Sequence, residues 1–244
     1  SDGVDTYSDY FTININDVNE TPTDIILSSN SVPENQPMNT VVGTLSSTDP
    51  DGDLSFTYTL VGGTGDLDNG NFNISGNQLR TSIVLDVETK PSHQIRIRTT
   101  DSGGLYREEQ FTVTVTNVNE PPVLSGIEGT PLQYTEDDPS TIITTSIVVS
   151  DPENANMTSA EVRISGGFNA AEDRLSLISS TFTVSVDNAN GVLTISGSGT
   201  ITLYQNALRL VRYVNLNDKN PSVTNRIIQF TINDGTYNSS PVYR

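Results

Sequence analysis

Acidic and amide residues recur at short, regular spacings along this chain. Asp49-Pro50-Asp51-Gly52-Asp53 places three carboxylates at alternate positions of one loop, and Asp86-Val87-Glu88 repeats the i, i+2 pairing. A further pair, Asp151 and Glu153, lies in Ser150-Asp151-Pro152-Glu153-Asn154. Single acids stand at Glu34, at Asp101 ahead of Ser102-Gly103, and at Asp234 ahead of Gly235. Two segments mix acids with amides: Asp17-Val18-Asn19-Glu20 and Asn117-Val118-Asn119-Glu120. Alternate carboxylates share one side of an extended loop, and an Asn adds a side-chain or backbone oxygen. Ca²⁺ takes about six to eight such hard oxygens. One loop rarely supplies them all, so the ligands must converge from strand ends and a linker. Without a cation these carboxylates repel one another, and Ca²⁺ would convert that repulsion into a rigid junction. Asp or Asn before Gly also serves simple turns, but turns alone do not explain the whole set.

Composition narrows the partners. Against 30 Asp and Glu there are 12 Lys and Arg, a formal net charge of -18. A polyphosphate partner needs a basic face, so nucleic acid is excluded. The acids lie between patterned apolar segments, which argues against disorder. Cysteine is absent, which removes disulfides, zinc-thiolate sites and a cysteine nucleophile. No run of about 18 apolar residues is present to span a membrane, and no signal peptide is visible at Ser1.

The elements that must position the acids are strands. Phe11–Ile15, Gln94–Arg98, Phe111–Val115, Phe182–Val186 and Ile228–Ile232 alternate apolar and polar residues. That period puts one face in a core and the other in water. Many short strands separated by Gly, Pro, Asn and Asp clusters read as β-sandwiches. One helix-like stretch, Leu203–Arg209, interrupts them. The chain also repeats itself: Tyr10–Pro22 matches Gln110–Pro122, and Phe111 lies 100 residues after Phe11. That is the size of one sandwich. Residues 1–20 are therefore expected to be the last strand and linker of a preceding module. Residues 21–120 form a first whole module, and 121–244 a second that lacks most of its last strand. The spare strand suggests head-to-tail strand exchange, in which residues 1–15 complete the second module of a neighbouring molecule.

The first module resembles a cadherin repeat. Val32-Pro33-Glu34-Asn35, Asp49–Asp53, Leu85-Asp86-Val87-Glu88, Asp101 and Asn117-Val118-Asn119-Glu120-Pro121-Pro122 carry the likeness, in family order and at family spacing. The resemblance implies an all-β fold of tandem immunoglobulin-like Greek-key sandwiches joined by a Ca²⁺-binding linker. It also assigns metal ligands. At the junction of the two modules these are Glu34, Asp86 and Glu88, then Asn117, Asn119 and Glu120, then Asp151, Glu153 and Asp234. At the upstream junction they are Asp17, Asn19, Glu20, Asp49, Asp51, Asp53 and Asp101. The second module departs from the pattern. Thr135-Glu136-Asp137-Asp138 only loosely matches Pro-Glu-Asn, and Leu-Asp-x-Glu is missing. Gly199–Leu208 followed by Val211-Arg212-Tyr213 resembles the proteoglycan-type cadherin-like repeats of large bacterial surface proteins.

The implied function is an extracellular or cell-surface adhesion and structural module, not an enzyme. Its partners would be other cell-surface proteins, homophilic contact included, or extracellular glycans. An alternative is a carbohydrate- or protein-binding module of a secreted polysaccharide-active protein, with Tyr7, Tyr10, Tyr106, Tyr134, Tyr237 and Tyr243 as the platform. His93 is the only histidine, too few for a triad or a multi-histidine zinc site, and Pro91-Ser92 suggests that it sits in an exposed turn. Gly62-Gly63-Thr64-Gly65 reads as a hairpin.

Overall fold

A computed structural model of the chain describes every residue except 1, 2, 4–8, 53, 54 and 180. It divides into two compact units, Ser1–Val118 and Asn119–Arg244. Asp53 and Tyr7 lie outside the described residues.

The first unit holds β1 (Asp24–Leu27), β2 (Ser31–Pro33), β3 (Val41–Thr48), β4 (Thr57–Leu60), β5 (Phe72–Ser75), β6 (Gln78–Thr81), β7 (Ser92–Thr100) and β8 (Tyr106–Thr116). One sheet runs β1-β3-β6-β5 and the other β2-β8-β7-β4. Only β2 and β8 pair in parallel; the other neighbours are antiparallel. The alternation seen in the sequence does the sorting. In β7 the buried positions are His93, Ile95, Ile97 and Thr99, and in β8 they are Val113 and Val115. These pack with Val32, Leu45, Phe72 and Leu79 from both sheets into one core. Each large apolar side chain so buried contributes about 1.5–3 kcal/mol. His93 is buried, not in an exposed turn, because β7 starts at Ser92 and turns alternate residues inward. Gly62–Gly65 is no hairpin either: it leads from β4 to a single 3-10 turn at Asn69–Asn71, and β4 pairs with β7.

Residues 9–20 form no strand, although Phe11–Ile15 has the strand alternation. Tyr10, Phe11, Ile13 and Ile15 are at least 83% exposed. The counterparts of Ile13 and Ile15, Val113 and Val115, lie in β8 between β2 and β7.

The second unit holds β9 (Val123–Ser125), β10 (Thr141–Ile142), β11 (Val148–Ser150), β12 (Asn156–Gly166), β13 (Asp173–Ser176), β14 (Thr183–Asp187), β15 (Val192–Thr200), α1 (Ile201–Leu208), β16 (Arg212–Asn215), β17 (Ile227–Asn233) and β18 (Val242–Tyr243). Its main sheet runs β14-β15-β12-β17-β18, with β10-β16-β13 and β9-β11 as smaller sheets. Thr200 caps α1 by accepting the Leu203 N–H, the hydroxyl cap that helix starts favour. The helix buries Tyr204, Ala207 and Leu208 against Phe182, Leu193 and Phe230. Gly199 is needed there, because a Cβ would stand 2.7 Å from the Phe182 ring.

Candidate metal centre

At the N-terminal end of the first unit, the turn after β3 and the turn between β7 and β8 meet the segment before β1. Asp49 Oδ1 accepts the Asp51 N–H at 2.9 Å, and Gly52 closes the turn with a left-handed φ of 74°. Asp101 is buried and accepts the Leu105 N–H at 2.9 Å. Onto these turns the segment docks two consecutive residues. Asn19 Nδ2 donates to Asp101 Oδ2 at 3.2 Å, and the Glu20 N–H donates to Asp51 Oδ2 at 2.7 Å. Gly103 makes room: a Cβ there would stand 2.3 Å from Asn19 Oδ1. Asp49 Oδ2 is buried with no hydrogen-bond partner among the described residues.

The electrostatics show crowding. Glu20 is pushed up, first by its hydrogen bond with Asp51, then by burial and by the charges of Asp51, Asp17 and Asp49. The same side-chain bond, with the Glu20 N–H, holds Asp51 down. Two carboxylates thus compete for one proton, as close acid pairs do. A divalent cation would relieve that competition. Asp17 takes part only through its charge on Glu20.

The second unit's N-terminal end repeats this plan. Asp151 Oδ1 accepts the Glu153 and Asn154 N–H groups at 3.1 and 2.6 Å. Asp234 Oδ1 accepts the Thr236 and Tyr237 N–H groups, across a turn in which Gly235 has φ 111°. Asn119 Nδ2 donates to Asp234 Oδ2 at 2.8 Å, and the Glu120 N–H donates to Glu153 Oε2 at 3.0 Å. Burial pushes Asp234 up, but the Asn119 amide and the Tyr237 and Thr236 N–H groups outweigh it and hold the carboxyl low. Asp151 Oδ2 and Glu153 Oε1 are buried without a hydrogen-bond partner among the described residues.

The C-terminal end of the first unit gathers three more of the expected ligands. Glu34 is fully buried, and its two oxygens accept the Val87 N–H at 3.0 Å and the Val118 N–H at 2.7 Å. Asn35 turns the chain with φ 59°. Asp86 accepts the Glu88 and Thr89 N–H groups and the Thr89 hydroxyl, which hold it low, the Thr89 hydroxyl most. An oxygen of Glu88 lies within 4.8 Å of one of Glu34. Burial pushes Glu88 up, and the Glu34 charge adds to this. Asn117 is exposed and takes no part in these bonds.

The structure therefore joins Asn19, Glu20, Asp49, Asp51 and Asp101 at one end, and Asn119, Glu120, Asp151, Glu153 and Asp234 at another. Glu34, Asp86 and Glu88 form a third group. One contributor is absent from the sequence-based set: Asn154, whose amide donates to Asn119 Oδ1 at 2.5 Å. Its place directly after Glu153 in the acidic loop was the one signal in the sequence. The donor set fits a hard cation. Buried carboxylate oxygens left unpartnered normally carry a large cost, and an ion is a fitting partner for them.

Residues 28–116 match the cadherin domain family. Protocadherin Fat 2 of Rattus norvegicus is 32% identical over 148 residues, which is 58% of this chain and 3% of that protein. Halomucin of Haloquadratum walsbyi is 26% identical over 160 residues, 63% of this chain and 2% of that protein. A crystal structure of human protocadherin-24 EC1-2 is similar with a TM-score of 0.47 and 19% identity, over 93% of this chain and 96% of that one. The chain thus spans 2–3% of the length of these two curated relatives.

Proposed function

We propose, from the match of residues 28–116 to the cadherin domain family, that the chain is a calcium-binding adhesion and structural segment of a larger extracellular or cell-surface protein. The observation that carries the reading is the pair of matched N-terminal ends, each with at least one buried carboxylate oxygen that has no hydrogen-bond partner among the described residues. Asn19, Glu20, Asp49, Asp51 and Asp101, with Asp17 and Asp53 as further ligands assigned from the sequence, would hold Ca²⁺ at one end. Asn119, Glu120, Asp151, Glu153 and Asp234 would do so at the other, and Glu34, Asp86, Glu88 and Asn117 would serve the same linker. Bound ions would neutralise the crowded carboxylates and stiffen the junction, giving reach and protection from proteases. Ligand linkage then stabilises the fold by about 2.7 kcal/mol when free Ca²⁺ is 100 times its Kd. A chelator should lower the melting temperature and speed cleavage near Val118. An unchanged melt and digest in low-salt buffer would refute the reading.

Partners in this reading are cell-surface proteins, a second copy included. Ile13 and Ile15 match the buried Val113 and Val115 in the repeat, so we propose that residues 1–15 can be donated as a strand to another copy. Deleting residues 1–15 should then shift the sedimentation coefficient toward the monomer, and an unchanged value would remove the exchange.

A further inference from the structure

We propose that His93, Asp68 and Lys90 form an acid-released latch on the segment that carries Asp86 and Glu88. Three observations support it. The first is placement. Lys90 ends that segment and reaches back to Asp68, its Nζ 2.5 Å from Asp68 Oδ1. Asp68 is itself fixed, since its second oxygen accepts the Gln94 N–H of β7 at 2.8 Å. The second is the buried imidazole beside this pair. His93 Nδ1 lies 3.7 Å from Asp68 Oδ1 and 3.3 Å from Asn71 Nδ2, with Phe72 edge-on at 5.6 Å. The third is an unmet group: His93 Nε2 is buried and has no hydrogen-bond partner among the described residues.

The charged groups facing the ring are Asp68, before the 3-10 turn, and Lys90, on the latched segment. Asn71 and Phe72 are uncharged. With a neutral ring, Asp68 balances Lys90 alone. Protonation sets a second cation against the same carboxylate. It also leaves two ring N–H groups to satisfy, one buried without an acceptor and the other facing the Asn71 amide. Burial pushes the imidazole below its ordinary 6.5, the Asp68 charge draws it back up, and the Lys90 charge lowers it again. The sign follows: the fold prefers the neutral ring, so this contribution is complete above pH 6.5 and is lost as pH falls through the lowered value. The loss is relieved when Lys90 lets go of Asp68, and the 86–90 segment then keeps the Val87 N–H bond to Glu34 but loses the tie at its Lys90 end. A consequence for ion binding rests on the proposed function. Acid would weaken Ca²⁺ binding beyond what protonating the ligands does.

The test uses the whole chain in EDTA. As the only histidine, His93 gives a single ring Hε1 resonance. Its midpoint should lie below 6.5 and rise in Lys90→Met. Amide exchange of residues 85–90, corrected for the intrinsic rate, should accelerate about tenfold between pH 7.5 and 5.5 in the wild type. In His93→Gln it should not accelerate. If that variant does not fold, Lys90→Met decides, and should show the fast exchange already at pH 7.5. A midpoint at or above 6.5, equal acceleration in His93→Gln, or an intact segment in Lys90→Met at pH 7.5 would overturn the latch. Absence of any calcium response at pH 7.5 would instead remove the proposed function and leave the latch standing.

Discussion

The N-terminal ends of the two units carry one arrangement on two different sandwiches. The first unit has two four-stranded sheets, while the second has a five-stranded sheet, two small ones and a helix. Yet Asn19 meets Asp101 as Asn119 meets Asp234, and the Glu20 N–H meets Asp51 as the Glu120 N–H meets Glu153. The loops differ at two positions: Glu153 stands where the first end has Asp51, and Asn154 where it has Gly52. Gly52 supplies a left-handed turn and no side chain, whereas Asn154 supplies an amide that pins Asn119. The constellation therefore depends on two turns and the register of an Asn-Glu pair, not on how the sheets behind them are ordered. The C-terminal sides diverge more. Glu34-Asn35 and Glu136-Asp137 share the left-handed second residue, at φ 59° and 67°. Glu34, however, is buried and takes two backbone N–H groups, while Glu136 is exposed.

That contrast gives the largest expected effect. Glu34→Ala orphans two N–H groups and should destabilise the first unit by about 2–4 kcal/mol in urea unfolding. Glu136→Ala should stay within about 0.5 kcal/mol. Equal costs would erase the distinction between the units. Next, Asp49→Asn and Asp151→Asn should each weaken Ca²⁺ binding by on the order of 100-fold at their own end, read by calorimetric titration, and leave the other end intact. Smaller again is Gly103→Ala, whose new Cβ must displace Asn19. It should weaken the first end about tenfold, and Asn154→Gly should weaken the second by less. The smallest effect is on pH dependence without metal. Glu20 is pushed up, so its contribution is present below its ordinary 4.5 and lost as pH rises through the raised value. Glu20→Gln should therefore raise the melting temperature slightly at pH 7 in EDTA and leave it unchanged at pH 4. A fall at pH 7 would show that the acids at this end do not repel.

Much of this was legible in the sequence because the chemistry is local. Alternation in Gln94–Arg98, Phe111–Val115 and Ile228–Ile232 does become strand with partners on both edges, and most of Phe182–Val186 becomes the edge strand β14, paired with β15. Phe11–Ile15 has the same alternation and no strand partner among the described residues, so pattern alone could not make it a strand here. The pairing of Asn19 with Asp101 and of Asn119 with Asp234 joins residues far apart in the chain, and only the resemblance to cadherin repeats grouped them. His93 was misread because Pro91-Ser92 suggested a turn, whereas the pairing of Ser92 with Thr114 already belongs to β7. The buried, unpartnered oxygens of Asp49, Asp151 and Glu153 were beyond reach, since burial of single atoms is set by packing.

The central claim is that these two ends hold Ca²⁺ through those oxygens. Calcium titration calorimetry on the wild-type chain and on the double variant Asp49→Asn/Asp151→Asn tests it most directly. The account predicts saturable binding by the wild type, with both ends weakened in the double variant. Identical isotherms for the two proteins, or no heat from either, would contradict it.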